Sequence, residues 1–345
     1  MTVNSPLVEA EAEGSTDRPG IGVRLVGTIG WSRVRWLIGL AWAAAVVAYV
    51  TAHGVPTDRG PLAVVVISGL SISAIGHGWS RMRQVVTDWL PFTAVLLLYD
   101  RTRGIADRLG IPLHEGDVLR AEKWLFGGTE PTRWLQQRLY DAAEVHWYDA
   151  LCTLVYTSHF LATPILAAVL WLRDRRVWLG FIQRVIVLSV AGLVTYVVFP
   201  EAPPWLAARD GLSAAVPRLS TRGWDWFHAE GVNDLLAHAQ SDGANPVAAM
   251  PSLHTAFAVL VAIYVAGRMS SRWRRLVYLY PVAMGFTLVY CGEHYVLDLL
   301  AGVGYALAAH AAVGWWSRRR DRSLHPAQDR RPAADQGSRE TVGAR

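Results

Sequence analysis

The chain has 345 residues, 52% of them hydrophobic and 18% charged, with 16 Trp and a net charge of +5. Length alone would allow two soluble domains, but several apolar runs long enough to enter a bilayer exclude that organisation. The basic balance is carried by arginine, since Lys123 is the only lysine. The arginines gather at the ends of apolar runs, which argues against nucleic acid as a partner.

Residues 1–34 are polar and are expected to be a disordered cytoplasmic segment. Glu9, Glu11 and Glu13 stand before any apolar run, so no signal peptide is read and the first span is expected to act as an uncleaved anchor. Apolar spans are expected at about 36–52, 61–79 and 84–98. Residues 99–147 then interleave charges with Trp124, Phe126, Trp134, Leu135 and Trp147. That pattern predicts one or two amphipathic helices lying on the bilayer surface. Further spans follow at about 149–172 and 177–199. A second polar excursion, 200–248, has a short amphipathic helix expected at about 223–239. The last three spans are placed at about 251–267, 276–290 and 294–316, and the tail 317–345 is expected to be disordered and cytoplasmic. The reading is therefore all-α: a polytopic membrane helix bundle of about eight transmembrane helices with extracytoplasmic amphipathic helices. The membrane domain covers 35–316, with its core at about 149–316.

Eight spans also give a sidedness. With a cytoplasmic N-terminus, the basic junctions at 81–83, 173–176 and 268–275 and the tail at 318–322 all fall inside, as the positive-inside rule asks. Both polar excursions fall outside, together with His254 and His294. The arginines and the lysine of 99–147 break the charge rule, which long translocated loops are free to do. A plasma-membrane protein with an extracytoplasmic site is the expectation.

Two segments carry the chemistry. His294 and Asp298 are four apart, so on a helix they share one face. A carboxylate bonded to one imidazole nitrogen fixes the tautomer and leaves the other nitrogen free to attack. In Met250-Pro251-Ser252-Leu253-His254, Pro251 suits a first helical turn and Ser252 presents a hydroxyl beside unpaired N–H groups, an anion site. His254 is placed to protonate a leaving oxygen.

These residues resemble the type 2 phosphatidic acid phosphatase superfamily, and more narrowly its inositol phosphorylceramide synthase-like branch. Pro251, Ser252 and His254 match the P-S-x-H motif. His294 and Asp298 match the end of S-R-x5-H-x3-D. Ala202-Pro203-Pro204-Trp205 resembles the A-P-P-W of the synthase-like branch. The resemblance implies that His294 becomes phosphorylated, that Asp298 is its partner and that His254 is the general acid. Thr287 and Leu288 stand where the third motif has Ser and Arg, and no K-x6-R-P precedes Pro251. The phosphate's cations are therefore sought among Arg101, Arg103, Lys123 and Arg209, beside Ser252. Pro203, Pro204 and Trp205 are read as a lip of the site.

His254, His294, Asp298 and Glu293 were weighed as a zinc site. H-E-x-x-H is absent and a phosphohistidine mechanism needs no metal, so no metal or cofactor is expected. Glu293 is read as a solvated neighbour. Tyr156, Ser158 and His159 line a headgroup cavity or pack between helices. Cys152 and Cys291 are read as buried thiols rather than a disulfide. The expected partners are membrane lipids and a lipid phosphate or polyprenyl phosphate substrate. Hydrolysis of that phosphate is the first reading. The alternatives are transfer to inositol or another polyol, giving a phosphodiester-linked lipid, and a non-catalytic lipid binder or transporter on the same fold.

Overall fold

The computed structural model describes residues 30–53, 59–101, 109–228, 247–270 and 272–324. The remaining expectations for the N-terminal segment, for most of 223–239 and for the tail beyond Leu324 lie outside the described residues.

The described chain is all-α, apart from isolated bridges that join His114 to Glu201 and Glu201 to Ala248. In chain order the helices are α1 (Trp31–His53), α2 (Arg59–Ala74), α3 (Trp79–Arg101), α4 (Asp117–Leu125), α5 (Pro131–Leu139) and α6 (Trp147–Arg173). They continue as α7 (Arg175–Val198), α8 (Pro204–Arg209), α9 (Leu253–Ala266), α10 (Leu279–Tyr290) and α11 (Val296–Leu324). Short 3-10 segments run over Arg222–Phe227 and Arg272–Tyr278.

A helix stands at each of the eight expected spans, but the span count needs correction. Among the described residues four helices are long and apolar enough to cross a membrane: α1, α6, α7 and α11. At about 1.5 Å per residue, the 14 residues of α9 and the 12 of α10 rise only ~21 and ~18 Å, against ~30 Å of hydrocarbon. The 16-residue α2 is also short, and α3 carries Arg81, Arg83, Asp88, Asp100 and Arg101 with Pro91 inside it. Sequence hydropathy ran on through the 3-10 segment before α10, where the backbone does not continue the α-helix. Several apolar helices, four of them of full spanning length, make this a multi-pass membrane protein.

The short helix α9 is the axis of the bundle. Ten of its 14 residues are buried, packed among α6, α7, α10 and α11. The main core joins Trp171, Trp178, Phe181 and Leu188 to Ala256 and Leu260 of α9 and Ala306 of α11. Asp88 of α3 ties the N-terminal helices to this core. It accepts from Arg175 Nε at 2.7 Å and from Trp171 Nε1 at 2.9 Å.

In the described part of the surface segment predicted for 99–147, two short helices, α4 and α5, fold over the bundle end that holds the two motifs. Gln136 of α5 donates to the carbonyls of Tyr290 (2.8 Å) and Pro217 (2.9 Å), and Glu122 of α4 accepts from Val296 N at 2.6 Å. Trp124 stays 84% exposed and Trp147 64%, as suits aromatic rings at a membrane interface.

Candidate active site

Helix ends build the site. α10 closes in a Schellman motif: Glu293 N donates to Leu288 O (3.0 Å) and Gly292 N to Val289 O (3.2 Å). Gly292 takes φ +75°, open to glycine at low cost, and this reversal delivers His294 to the start of α11.

There Asp298 does two jobs. Its Oδ2 accepts from Tyr295 N at 2.8 Å, the third-position half of a capping box, and it lies 3.3 Å from His294 Nδ1. Sequence periodicity placed both residues on one helical face. In fact His294 precedes the helix and its ring is brought to Asp298 by the cap. With Nδ1 turned to the carboxylate, Nε2 is the nitrogen left for other chemistry. His294 is 5% exposed and Asp298 fully buried.

The second segment arrives through the backbone. Ser252 N donates to Asp298 O at 3.0 Å, and Tyr196 of α7 bonds Pro251 O at 2.8 Å. Ser252 is the N-cap of α9, its hydroxyl oxygen accepting from Thr255 N at 3.3 Å. Pro251 thus precedes the cap instead of lying in the first turn, and the Ser252 hydroxyl is turned into the helix start with no exposed surface. His254 follows, its ring 5.6 Å from that of His294. His159 and Tyr156 of α6 stand against the other side of His254, at ring distances of 4.0 and 5.2 Å. Ser158 turns away to the Tyr280 hydroxyl at 3.0 Å.

Of the cations sought in the sequence, Arg103 and the Arg101 side chain lie outside the described residues. Lys123 pairs with Glu130 at 2.8 Å, and Arg209, largely exposed, pairs with Asp210 at 2.9 Å. The guanidinium that does reach the site is Arg218, which the sequence reading missed. It forms a two-pronged bond with Glu293 (2.8 and 3.0 Å) and lies 4.9 Å from the centre of the Trp205 ring. Burial works against its charge, but Glu293 outweighs that and holds its pKa above the usual arginine value. Glu293 is therefore not a solvated neighbour: it is 7% exposed and takes a further bond from Ser220. No motif announced Arg218, because it meets the site from a loop more than 70 residues away in sequence. The segment Pro203-Pro204-Trp205 does sit at the site's edge, with Trp205 N donating to Gly292 O at 3.2 Å.

Behind Asp298 lies a group of acids that the sequence also did not reveal. Glu122 is 1% exposed and Glu201 fully buried, and the Asp298 charge acts on both. Burial first, then Asp298, pushes Glu201 well above the carboxylate range; burial raises Glu122 to about 7. Both Glu201 oxygens and Asp298 Oδ1 are buried with no N–H or O–H donor in reach. Burial and the Asp298 charge both favour the protonated form of Glu201, which would supply a hydrogen to this set of acceptors. Among the described residues no group of three or more His, Cys, Asp or Glu is arranged to hold a metal ion. Cys152 and Cys291 are buried free thiols.

A multi-pass helical membrane protein with two histidines and a carboxylate joined at the ends of two packed helices is the class defined by these features. The chain belongs to the PAP2 superfamily, whose family model matches residues 116–312. It is also 27% identical over 247 residues to the phosphoinositol dihydroceramide synthase of Bacteroides thetaiotaomicron, covering 68% of this chain and 76% of that protein. No solved structure matches it.

Proposed function

We propose that this protein is a lipid phosphotransferase of the synthase-like branch, moving a phosphorylated polyol headgroup such as phosphoinositol onto a second alcohol to make a phosphodiester-linked lipid. The observation that carries the proposal is the His254–His294–Asp298 arrangement: an imidazole held by a buried carboxylate with a second imidazole 5.6 Å away. The name of the Bacteroides relative supports transfer over the hydrolysis first favoured from sequence.

The chemistry has two steps. Nε2 of His294 attacks the donor phosphorus, and the P–O bond to the departing alcohol breaks while His254 supplies that oxygen's proton. The acceptor hydroxyl then attacks the phosphorus, His254 takes its proton, and the P–N bond to His294 breaks. Asp298 holds the His294 ring throughout. Arg218 and the N–H groups at the start of α9 are the donors for the phosphate oxygens, with Ser252 shaping that start rather than lending its hydroxyl. Trp205, Pro203 and Pro204 form the lip. An apolar groove of about 430 Å³ between α5, α10 and α11, lined by Trp134, Phe286, Val289, Leu299, Val303 and Thr255 of α9, suits the lipid chains. The four full-length helices cross the membrane with the shorter apolar helices packed among them and both termini in the cytoplasm, and the histidines face outward at the plasma membrane. The membrane domain is 35–316.

Purified protein supplied with a phosphoinositol-bearing phospholipid and a long-chain lipid alcohol, without added metal, should give a new phosphodiester lipid by mass spectrometry. Release of free phosphate or free headgroup with no new lipid would make it a hydrolase. No turnover of any lipid phosphate would make it a binder.

A further inference from the structure

The bundle end opposite the histidines holds a second collection of polar groups that the reaction does not use. Tyr264 lies near the end of α9, ten residues and so about 15 Å along the helix from His254. Two arginines flank its ring, and a third lies beside one of them. Arg268 follows α9, with its guanidinium 4.9 Å from the Tyr264 ring centre and bonded to Tyr264 O at 2.6 Å. Arg184 of α7 lies 5.7 Å from the same ring centre and is bonded to Gly180 O at 2.8 Å. Arg318 of α11 reaches back to Gly314, where a Cβ would lie 3.3 Å from Arg318 Nη1 and 3.4 Å from Arg184 Nη2. The two guanidinium groups thus crowd the same backbone point. A Cβ at Gly180 would meet Arg184 Nη1 at 3.4 Å and the Tyr264 hydroxyl at 3.5 Å, so Arg184 and Tyr264 come together over that turn of α7.

Among the described residues none of the three arginines is in an ion pair, while Arg184 Nε and His310 Nδ1 are buried with no hydrogen-bond partner. Arg184 is nine residues into α7, about 14 Å from its start, which puts its backbone well inside the apolar part of a spanning helix. An arginine at that depth without a carboxylate is costly, and its side chain runs toward the nearer helix end. Its neighbours are Phe181 and Tyr264, whose rings are 4.9 Å apart.

We infer that this cluster is a binding site for the phosphate of an anionic phospholipid, held in the leaflet opposite the active site. Guanidinium forks match phosphate oxygens. A basic pocket between spanning helices at a leaflet surface is where such headgroups bind. The site's depth and its apolar wall select a ligand with acyl chains over a soluble anion. The inference stands apart from the proposed reaction, since none of its residues touches the catalytic histidines.

The test uses delipidated full-length protein in neutral detergent, with native mass spectrometry and thermal unfolding as readouts. Three probes are compared: phosphatidylglycerol, phosphatidylcholine and inorganic phosphate. Phosphatidylglycerol should be retained and should raise the melting temperature, and the other two should do neither. Arg318→Gln and Arg268→Gln, both at exposed positions, should each weaken its retention about five-fold, and Arg184→Gln by at least as much. Equal retention by wild type and the Arg268→Gln/Arg318→Gln double variant would overturn the site. A response to inorganic phosphate equal to that of the lipid would overturn its assignment to a lipid. Measuring headgroup transfer in parallel separates this outcome from failure of the catalytic proposal.

Discussion

Ser252 N donates its hydrogen to the carbonyl oxygen of Asp298 at 3.0 Å, so the cap of α9 hangs directly on the residue that orients His294. The two motifs, more than 40 residues apart in the chain, are therefore joined by backbone as well as by facing rings. The closeness of that join sets what can be changed near it.

Gly302, one turn beyond Asp298 on α11, lies close against the start of α9. A Cβ there would lie 2.4 Å from Ser252 O, a backbone atom that has no freedom to swing aside. Gly302→Val should destabilise the protein by about 1–3 kcal/mol and push α9 from α11. A lowered melting temperature together with lost turnover checks this. An unchanged melting temperature would mean that the two helix starts are not so close.

His294→Ala should reduce transfer to background, and Asp298→Asn should slow it by about 10²- to 10⁴-fold. With a donor lipid labelled in its phosphate and no acceptor alcohol supplied, the wild-type protein should carry acid-labile label. Its loss in His294→Ala would assign the label to His294. Full activity in His294→Ala would remove the nucleophile proposed above.

Arg218 is exposed enough to turn toward a ligand and is already charged, so its replacement should weaken phosphate handling. Arg218→Ala should raise KM for the donor lipid and lower kcat, with a loss in kcat/KM of about 10²- to 10³-fold. Arg218→Lys keeps the charge but not the fork and should recover only part. Arg209→Ala, at an exposed pair with Asp210, should leave both parameters near wild type, and the contrast between the two variants is the measurement.

Glu122 makes stability depend on pH. Below its ordinary value of 4.5 it is protonated in both the folded and the unfolded chain. Between 4.5 and about 7 the unfolded chain ionises it while the folded protein keeps the proton, so stability falls as pH rises through that window and then levels off. The loss is on the order of 3 kcal/mol. Thermal unfolding followed by tryptophan fluorescence from pH 4.5 to 7.5 should show the fall, and Glu122→Gln should reduce it by Glu122's share, leaving the part that buried Glu201 contributes with the same sign. A slope of the same size in the Gln variant would place the titrating group elsewhere.

Much of this arrangement was legible in the sequence wherever chemistry is written in short spacings. H-x3-D and P-S-x-H named the groups that the fold brings together, and A-P-P-W named a segment that does bond to the loop before His294. Hydropathy found a helix at each apolar run. It misjudged how many are full spans, because apolar character measures burial and not length, and α9 and α10 are apolar since other helices surround them. The acids behind Asp298, Glu122 and Glu201, escaped notice for a related reason: each stands alone in a polar stretch, and its burial is set by the loops that fold over it, as is that of Glu293, which was read as a solvated neighbour.

The order of apolar runs and the two histidine motifs settled, without any structure, that this is a membrane helical protein of a phosphate-handling family, because those features are local and each has its own signature in composition or spacing. The tertiary structure alone decided that Arg218 meets Glu293, that buried carboxyls stand behind Asp298, and that Arg184 and Arg268 flank Tyr264 with Arg318 beside Arg184. Each of these is a long-range meeting of single side chains, set by how helices pack and loops return, and no stretch of neighbouring residues records it.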